Sequence, residues 1–315
     1  MGRLALFSSA GRVLDESVER AKTAEQLGYE SVWVNQMPDA RDHTIVLAAF
    51  AMATKKVTLG TGVLPMYTRH PTAMAQMAAT LDELSGGRFI LGFGISHRVT
   101  VEGMWGLKLE RPVQAMREYL TIVRSILRDG SVAFEGEQFT ARTAYSGPRR
   151  PGLPIMISAL NPKMLELAGE LADGVVLWMA SPAYVRDAVV PHVKAGREKA
   201  GKSLEGFEIV AAVPVSLTSN RQGAQEVFRQ TVQRYASLPF YRSMMDNSGY
   251  KEDLAAGNIT EALMDELGGM GDADQVRDVV RRYRDAGVTL PAVGPFAGHD
   301  GAAGFDKTLQ AVAST

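Results

Sequence analysis

Three short stretches of the chain carry side chains able to do chemistry. The first is Gly-Ile-Ser-His-Arg, in which His97 follows a β-rich run. An imidazole there can donate or accept a proton near neutral pH, or it can be a loop histidine bonded to backbone. The second is Asn35-Gln36, two uncharged amides at the end of another such run. They can cap a loop, or hold a substrate carbonyl or ring edge. The third is Ser158-Ala159-Leu160-Asn161-Pro162-Lys163, small and polar residues that lead into a helical pattern. Free N–H groups at a helix start offer an anion site. An ordinary start with Asn161 as N-cap and Pro162 at the first position accounts for the same residues.

Other chemistries find no support. Gly60–Pro65 (GTGVLP) and Gly92–His97 (GFGISH) each miss the third glycine of a dinucleotide fingerprint, and neither runs straight into a helix. Their small residues let strand ends bend or approach another backbone. The five histidines, His43, His70, His97, His192 and His299, show no metal-ligand spacing, so no metal is expected. There is no G-x-S-x-G and no cysteine, which removes a nucleophile elbow and a thiolate. Asp82-Glu83 reads as a solvated helix end.

The elements that must position these residues alternate. Near-continuous apolar runs predict strands at Leu4–Phe7, Ser31–Val34, Val57–Val63, Phe89–Phe93, Pro154–Ser158, Gly174–Leu177, Glu208–Leu217 and Thr289–Val293. Such runs mark strands covered on both faces. Helical periods fall at Asp15–Leu27, Thr72–Leu84, Ala115–Arg128, Pro162–Leu171, Pro182–Ala200, Gln222–Tyr235 and Ala273–Ala286. Eight strand–helix units with no mid-chain linker predict an α/β fold, a (β/α)8 TIM barrel, over an open doubly wound sheet. The expectation is one domain over 1–315, with insertions at about 95–153 and 218–288, the first holding a hairpin over Ser131–Ala144. A barrel builds its site from loops at the C-terminal ends of the strands, which puts Asn35, His97 and Ser158 on one rim.

Composition sets the outer bounds. Lys and Arg number 34 against 35 Asp and Glu, a net charge of −1 that argues against nucleic acid or an anionic membrane as partner. No apolar run reaches the ~18 residues a membrane span needs, and the N-terminus turns polar after Phe7, too early for a signal peptide. A soluble, cytoplasmic protein acting on a small molecule is expected.

The chain resembles the luciferase-like monooxygenase superfamily. Within it, the chain is most similar to the coenzyme F420-dependent oxidoreductases, the branch of methylenetetrahydromethanopterin reductase. The resemblance covers nearly the whole chain. It is carried by A-x-x-L-G-Y-x-S-V-W-V (Ala24–Val34), V-T-L-G-T-G-V-L-P-x-Y-x-R-H-P (Val57–Pro71), L-D-E-L-S-G-G-R-F-I-L-G-F-G-I-S-H (Leu81–His97), E-R-P-V-Q-A-M-R-E-Y-L (Glu110–Leu120), F-E-G-E (Phe134–Glu137) and P-I-M-I-S-A-L-N-P-K-M-L-x-L-A-G-E-L-A-D-G (Pro154–Gly174).

What the resemblance implies is a barrel that binds F420, or alternatively FMN, at its C-terminal mouth. It implies a non-prolyl cis peptide at Gly62–Val63, forming a bulge behind the ring system. It places the cofactor phosphate at Ser158, Ala159, Leu160 and Asn161, with Ser96 and Trp178 also at the cofactor. Related F420 enzymes often have Gly-Gly or Gln-Gly where this chain has Leu160-Asn161, so the leucine side chain must point away. Many have Asp-His where this chain has Asn35-Gln36, so the base for alcohol oxidation is missing, and Ser181 stands where the sugar-phosphate enzymes have a lysine. Where a relative has Gly-Glu with a proton-donating Glu, this chain has Ser96-His97, which makes His97 the candidate acid. Trp178, Met179, Met104 and Trp105 are candidate apolar walls. The implied activity is hydride transfer from reduced F420 to an activated C=C or C=N bond. The alternatives are an FMN-dependent monooxygenase and a non-catalytic cofactor-binding protein. A homodimer is implied as well, with Val227, Phe228, Val232, Tyr235 and Leu238 either meeting a partner or covering the barrel.

Overall fold

The computed structural model describes residues 2–296 and 301–313; His299 lies outside them. Twelve strands follow in chain order: β1 (Ala5–Ser9), β2 (Ser31–Asn35), β3 (Thr58–Thr61), β4 (Leu64–Pro65), β5 (Phe89–Gly94), β6 (Ser131–Glu135), β7 (Thr140–Ala144), β8 (Ile155–Ser158), β9 (Gly174–Trp178), β10 (Glu208–Leu217), β11 (Gly269–Gly271) and β12 (Leu290–Pro295). Eight of them, β1-β2-β3-β5-β8-β9-β10-β12, pair in parallel and close on themselves through β12 and β1. The expected TIM barrel is therefore present. β6 and β7 form the expected antiparallel hairpin outside it.

Alternation along each strand divides the core in two. Leu4, Leu6, Val32, Val34, Leu91 and Ile157 face the surrounding helices, while Ala5, Phe7, Trp33, Met156, Val176, Val210 and Ala292 fill the lumen. Burying side chains of this size stabilises the fold by about 1.5–3 kcal/mol each, which is why both faces of the strands read as apolar. The lumen is a packed plug whose upper layer is Phe7, Val63 and Trp178.

The third strand departs from its predicted span. β3 stops at Thr61 and pairing resumes at β4, with the register against β5 shifted by one residue: Gly60 faces Ile90, but Leu64 faces Phe93. That extra residue is a β-bulge, and the Gly62–Val63 peptide within it is cis. Thr61 clamps the bulge from below, its hydroxyl accepting from Gly92 N–H (2.6 Å) and donating to the Gly92 carbonyl (2.7 Å). A Cβ on Gly62 would lie 2.8 Å from the Phe7 ring, so any larger residue here would have to displace that ring.

Helix His43–Ala53, after β2, was not predicted. It is apolar around its whole circumference, with Ile45 and Met52 exposed and Val46, Leu47 and Phe50 buried, so it shows no amphipathic period. The predicted helix Pro182–Ala200 is interrupted by a π-helical turn at Val185–Val189, just before Pro191, whose ring cannot supply a backbone N–H.

Both predicted insertions contain regular barrel elements. The first includes helix Pro112–Asp129, and the hairpin is tied to that helix by Glu118. The Glu118 carboxylate accepts from the N–H groups of Glu137 (3.0 Å), Gln138 (2.8 Å) and Phe139 (2.9 Å) and from Gln114 (2.8 Å). Burial pushes its pKa up, but these bonds outweigh it and hold the group below the usual carboxylate value. In the second, β11 pairs with β10, and helix Ala273–Asp285 leads into β12. Its irregular part comprises helices Arg221–Ala236, Pro239–Met245, Lys251–Ala255 and Glu261–Leu267. Phe228, Val232 and Tyr235 are buried within the chain, while Val227 is 37% exposed and Leu238 half-buried. Among the described residues no helix is long and apolar enough to cross a membrane.

Candidate active site

The C-terminal ends of β2, β3, β5, β8 and β9 bring most of the sequence-predicted residues to one rim. At its centre Val63, Gly94 and Ser158 converge. A Cβ on Gly94 would fall 2.0 Å from Ser158 Oγ and 3.1 Å from a Val63 methyl, so the bare glycine leaves the serine hydroxyl its place. Beyond Gly94 the chain turns through Ser96, whose φ of 60° is left-handed, and then presents His97. Met179, just past β9, is left-handed too, with φ 54°. Non-glycine residues in this region carry strain of about 1–3 kcal/mol and concentrate at functional sites.

His97 is half-buried, and its ring makes no hydrogen bond among the described residues. Burial lowers its pKa below the ordinary 6.5, so the neutral imidazole predominates at pH 7. Trp178 stacks on Phe7 at 5.5 Å and 21° between planes. Of the other candidate wall residues, Met179 is wholly buried, Met104 is 63% exposed, and Trp105, like Trp178, is half-buried.

At the Ser158–Asn161 turn Leu160 is partly buried, with its side chain packed against the core. Its carbonyl accepts from the Tyr184 hydroxyl at 2.7 Å, which fixes the turn. Asn161 occupies the N-cap position with Pro162 after it, but its side chain makes no capping bond and is left free. Lys163 is exposed and lines a cavity of about 350 Å3 with Arg111, Gln114 and Glu137; Arg111 is ion-paired with Glu137, which leaves Lys163 as the unpaired cation of that lining among the described residues.

The strand-two end behaves differently from expectation. Gln36 is committed to its own loop: its Oε1 accepts from His43 N–H (3.0 Å), and its Nε2 donates to the carbonyls of Met37 (3.0 Å) and Arg41 (3.3 Å). An amide so engaged organises the loop and has no free group for catalysis. Asn35 is the reverse case, because its Oδ1 is buried with no partner.

His43, which the sequence offers only as one of five histidines without metal-ligand spacing, sits beside it with zero exposure. Burial drives its pKa down to about 4, with Arg69 assisting, while Asp42 and the nearby Asn35 carbonyl pull the other way. Neither ring nitrogen has an aligned hydrogen-bond partner. The only sequence signal was an apolar run starting at a histidine.

Orphaned buried polar atoms are rare in folded proteins and call for an explanation. Among the described residues there are seven, and five of them, Asn35 Oδ1, both His43 ring nitrogens, Tyr67 Oη and Trp178 Nε1, belong to residues that end or follow β2, β4 and β9. Asn35 Oδ1 and Trp178 Nε1, on the last residues of β2 and β9, are the ones placed to fit a rim that meets a polar ligand. His70 caps helix Pro71–Ser85 and His192 lies 3.5 Å from Glu166, so neither serves the rim. The described residues hold no cluster able to bind a metal ion.

Comparison with known proteins agrees with this architecture. The chain is 31% identical over 297 residues to the 5,10-methylenetetrahydromethanopterin reductase of Archaeoglobus fulgidus, covering 89% of each. It is 30% identical over 289 residues to the enzyme of the same name from Methanolobus tindarius, covering 87% of this chain and 88% of that one. The solved structure of the coenzyme F420-dependent tetrahydromethanopterin reductase of Methanopyrus kandleri superposes with a TM-score of 0.83 at 27% identity, over 99% of this chain and 97% of that one. The model of the luciferase-like monooxygenase family matches residues 1–290, and with the barrel, the bulge and the rim in place the chain belongs to that family.

Proposed function

We propose that the chain is an F420-dependent oxidoreductase that transfers hydride from reduced F420 to an activated C=C or C=N bond of a small organic substrate. The observation that carries the reading is the likeness, along nearly the full chain, to a methylenetetrahydromethanopterin reductase and to a reductase whose structure is described as coenzyme F420-dependent. The residues present fit such a cofactor. Asn35 Oδ1 and Trp178 Nε1, unpartnered at the ends of β2 and β9, suit a polar ring system, and the Ser158–Asn161 turn with Lys163 beside it suits a phosphate. Gly62 and Val63 would lie behind the ring, Ser96 and Trp178 beside it, and Ser158, Ala159, Leu160 and Asn161 at the phosphate through backbone and hydroxyl groups.

Reduced F420 supplies a hydride from carbon and, unlike a flavin, is confined to two-electron steps. In its protonated form, the minor one at pH 7, His97 would supply the proton that the other end of the double bond needs, so that charge does not build up on the substrate as it is reduced. Burial makes the imidazolium a stronger acid than free histidine, which favours delivery. Asn35 orients the substrate or ring edge through its amide. Gln36 holds the loop that carries both Asn35 and His43. With no base at the end of β2, reduction is the supported direction.

The test is an anaerobic assay of reduced F420 oxidation against a panel of enones and imines. Turnover that needs the unsaturated compound and no oxygen is expected. Oxygen-dependent turnover of reduced FMN, with none of F420, overturns the proposal.

A further inference from the structure

The His97 ring has no hydrogen bond to fix it among the described residues, so its direction is set by packing. The ring packed against it is Tyr241, at 5.6 Å between centroids and 54° between planes. Tyr241 comes from helix Pro239–Met245, far away in sequence, in the second insertion. We propose that Tyr241 is a positioning residue for His97, holding the imidazole toward the barrel mouth and shielding one of its faces from water. The proposal rests on the reading of His97 as the proton donor.

Two attachments fix Tyr241 in place. Its ring meets Tyr235 edge-on at 4.9 Å, and Tyr235 meets Trp178 at 5.7 Å, so a run of five rings leads from Phe7 in the lumen to His97. Just past its helix, the Ser248 hydroxyl lies 2.8 Å from that of Ser181, in the loop after β9. The insertion is thereby anchored to the rim on both sides of Tyr241.

The ring does this work, not the hydroxyl. Tyr241 is 8% exposed, and burial, with Tyr235 nearby, raises its pKa far above the ordinary phenol value, so it keeps its proton throughout. Charged neighbours do not compete for His97 either. Arg98 pairs with Glu102 and with the Leu109 carbonyl, and Arg242 pairs with Asp246 at 2.8 Å. Burial is the one cause acting on the His97 proton, and Tyr241 supplies part of it.

The experiment is an NMR titration of the histidine ring protons in the full-length apoprotein, with His97 assigned by its loss in His97→Gln, alongside kcat and KM for reduced F420 turnover. In Tyr241→Ser the His97 midpoint is expected to rise toward 6.5, and kcat to fall roughly tenfold with KM little changed. Tyr241→Phe should leave both as in the wild type. Should the serine variant fail a circular-dichroism check for folding, Tyr241→Gln, which keeps length while admitting water, carries the same expectation. An unmoved midpoint overturns the proposal, as does a Phe variant that shifts as far as the serine one. A moved midpoint with wild-type kcat overturns it as well, because the contact then does not position His97 for turnover; whether His97 itself takes part is read separately from kcat of His97→Gln.

Discussion

Replacing His97 with alanine is expected to lower kcat by about 10²–10⁴-fold, the usual contribution of a positioned general acid. Cofactor affinity should change by less than about twofold, since the residue acts in the transition state and not in uniform binding. The pH profile carries a second signature. Activity in the reducing direction follows the protonated imidazole, whose pKa burial has lowered below 6.5. The wild-type rate should therefore rise as pH falls toward that depressed value and decline as pH climbs above it. The alanine variant should lose this dependence, and added imidazole should restore part of the rate. Steady-state kinetics across pH 5–9 ~ the range in which an imidazole titrates ~ checks both points. Wild-type kcat in the variant would remove His97 from the mechanism.

The second large effect concerns His43 and stability. Its folded pKa is about 4 against 6.5 for a free imidazole. Between those values the unfolded chain binds more protons than the folded one, so stability rises with pH across this window. The contribution is fully present above 6.5 and is lost as pH falls toward 4; at full burial it amounts to about 3 kcal/mol. His97 adds a smaller loss of the same sign. Glu25, Glu118 and Asp42, all held below their ordinary values, begin to contribute only at lower pH, as their carboxylates take up protons. Substituting His43→Leu isolates the effect. The variant should be more stable than wild type at pH 5, and its urea midpoint should vary much less between pH 6.5 and 4.5 ~ the window set by these groups ~ than that of wild type. A variant that keeps the full wild-type pH dependence would show that His43 is not the group being titrated.

The eight barrel strands were legible because burial on both faces leaves an apolar run that needs little context to read. Val57–Val63 was overrun by two residues because the bulge that ends β3 arises from its register against β5, not from local propensity. β4 and β11 are two and three residues long and rich in proline or glycine, so nothing local announces them. Helix His43–Ala53 was invisible to a search for amphipathic period because its exposed face carries Ile45 and Met52. The candidate site divides along the same line. His97, Ser158 and Trp178 follow directly from knowing where strands end. Gln36 was right in place but its role depends on His43, Met37 and Arg41, whose hydrogen bonds no spacing reveals. Tyr241 lies well over a hundred residues from His97, and only the fold brings the two rings together.

The most direct test of the proposed chemistry is a binding titration of the purified apoprotein, following the fluorescence of F420 and of FMN in parallel. F420 should bind at least about tenfold more tightly than FMN, a difference of roughly 1.4 kcal/mol. Equal or tighter binding of FMN would contradict the F420-dependent reductase and point to an oxygen-using enzyme on the same barrel.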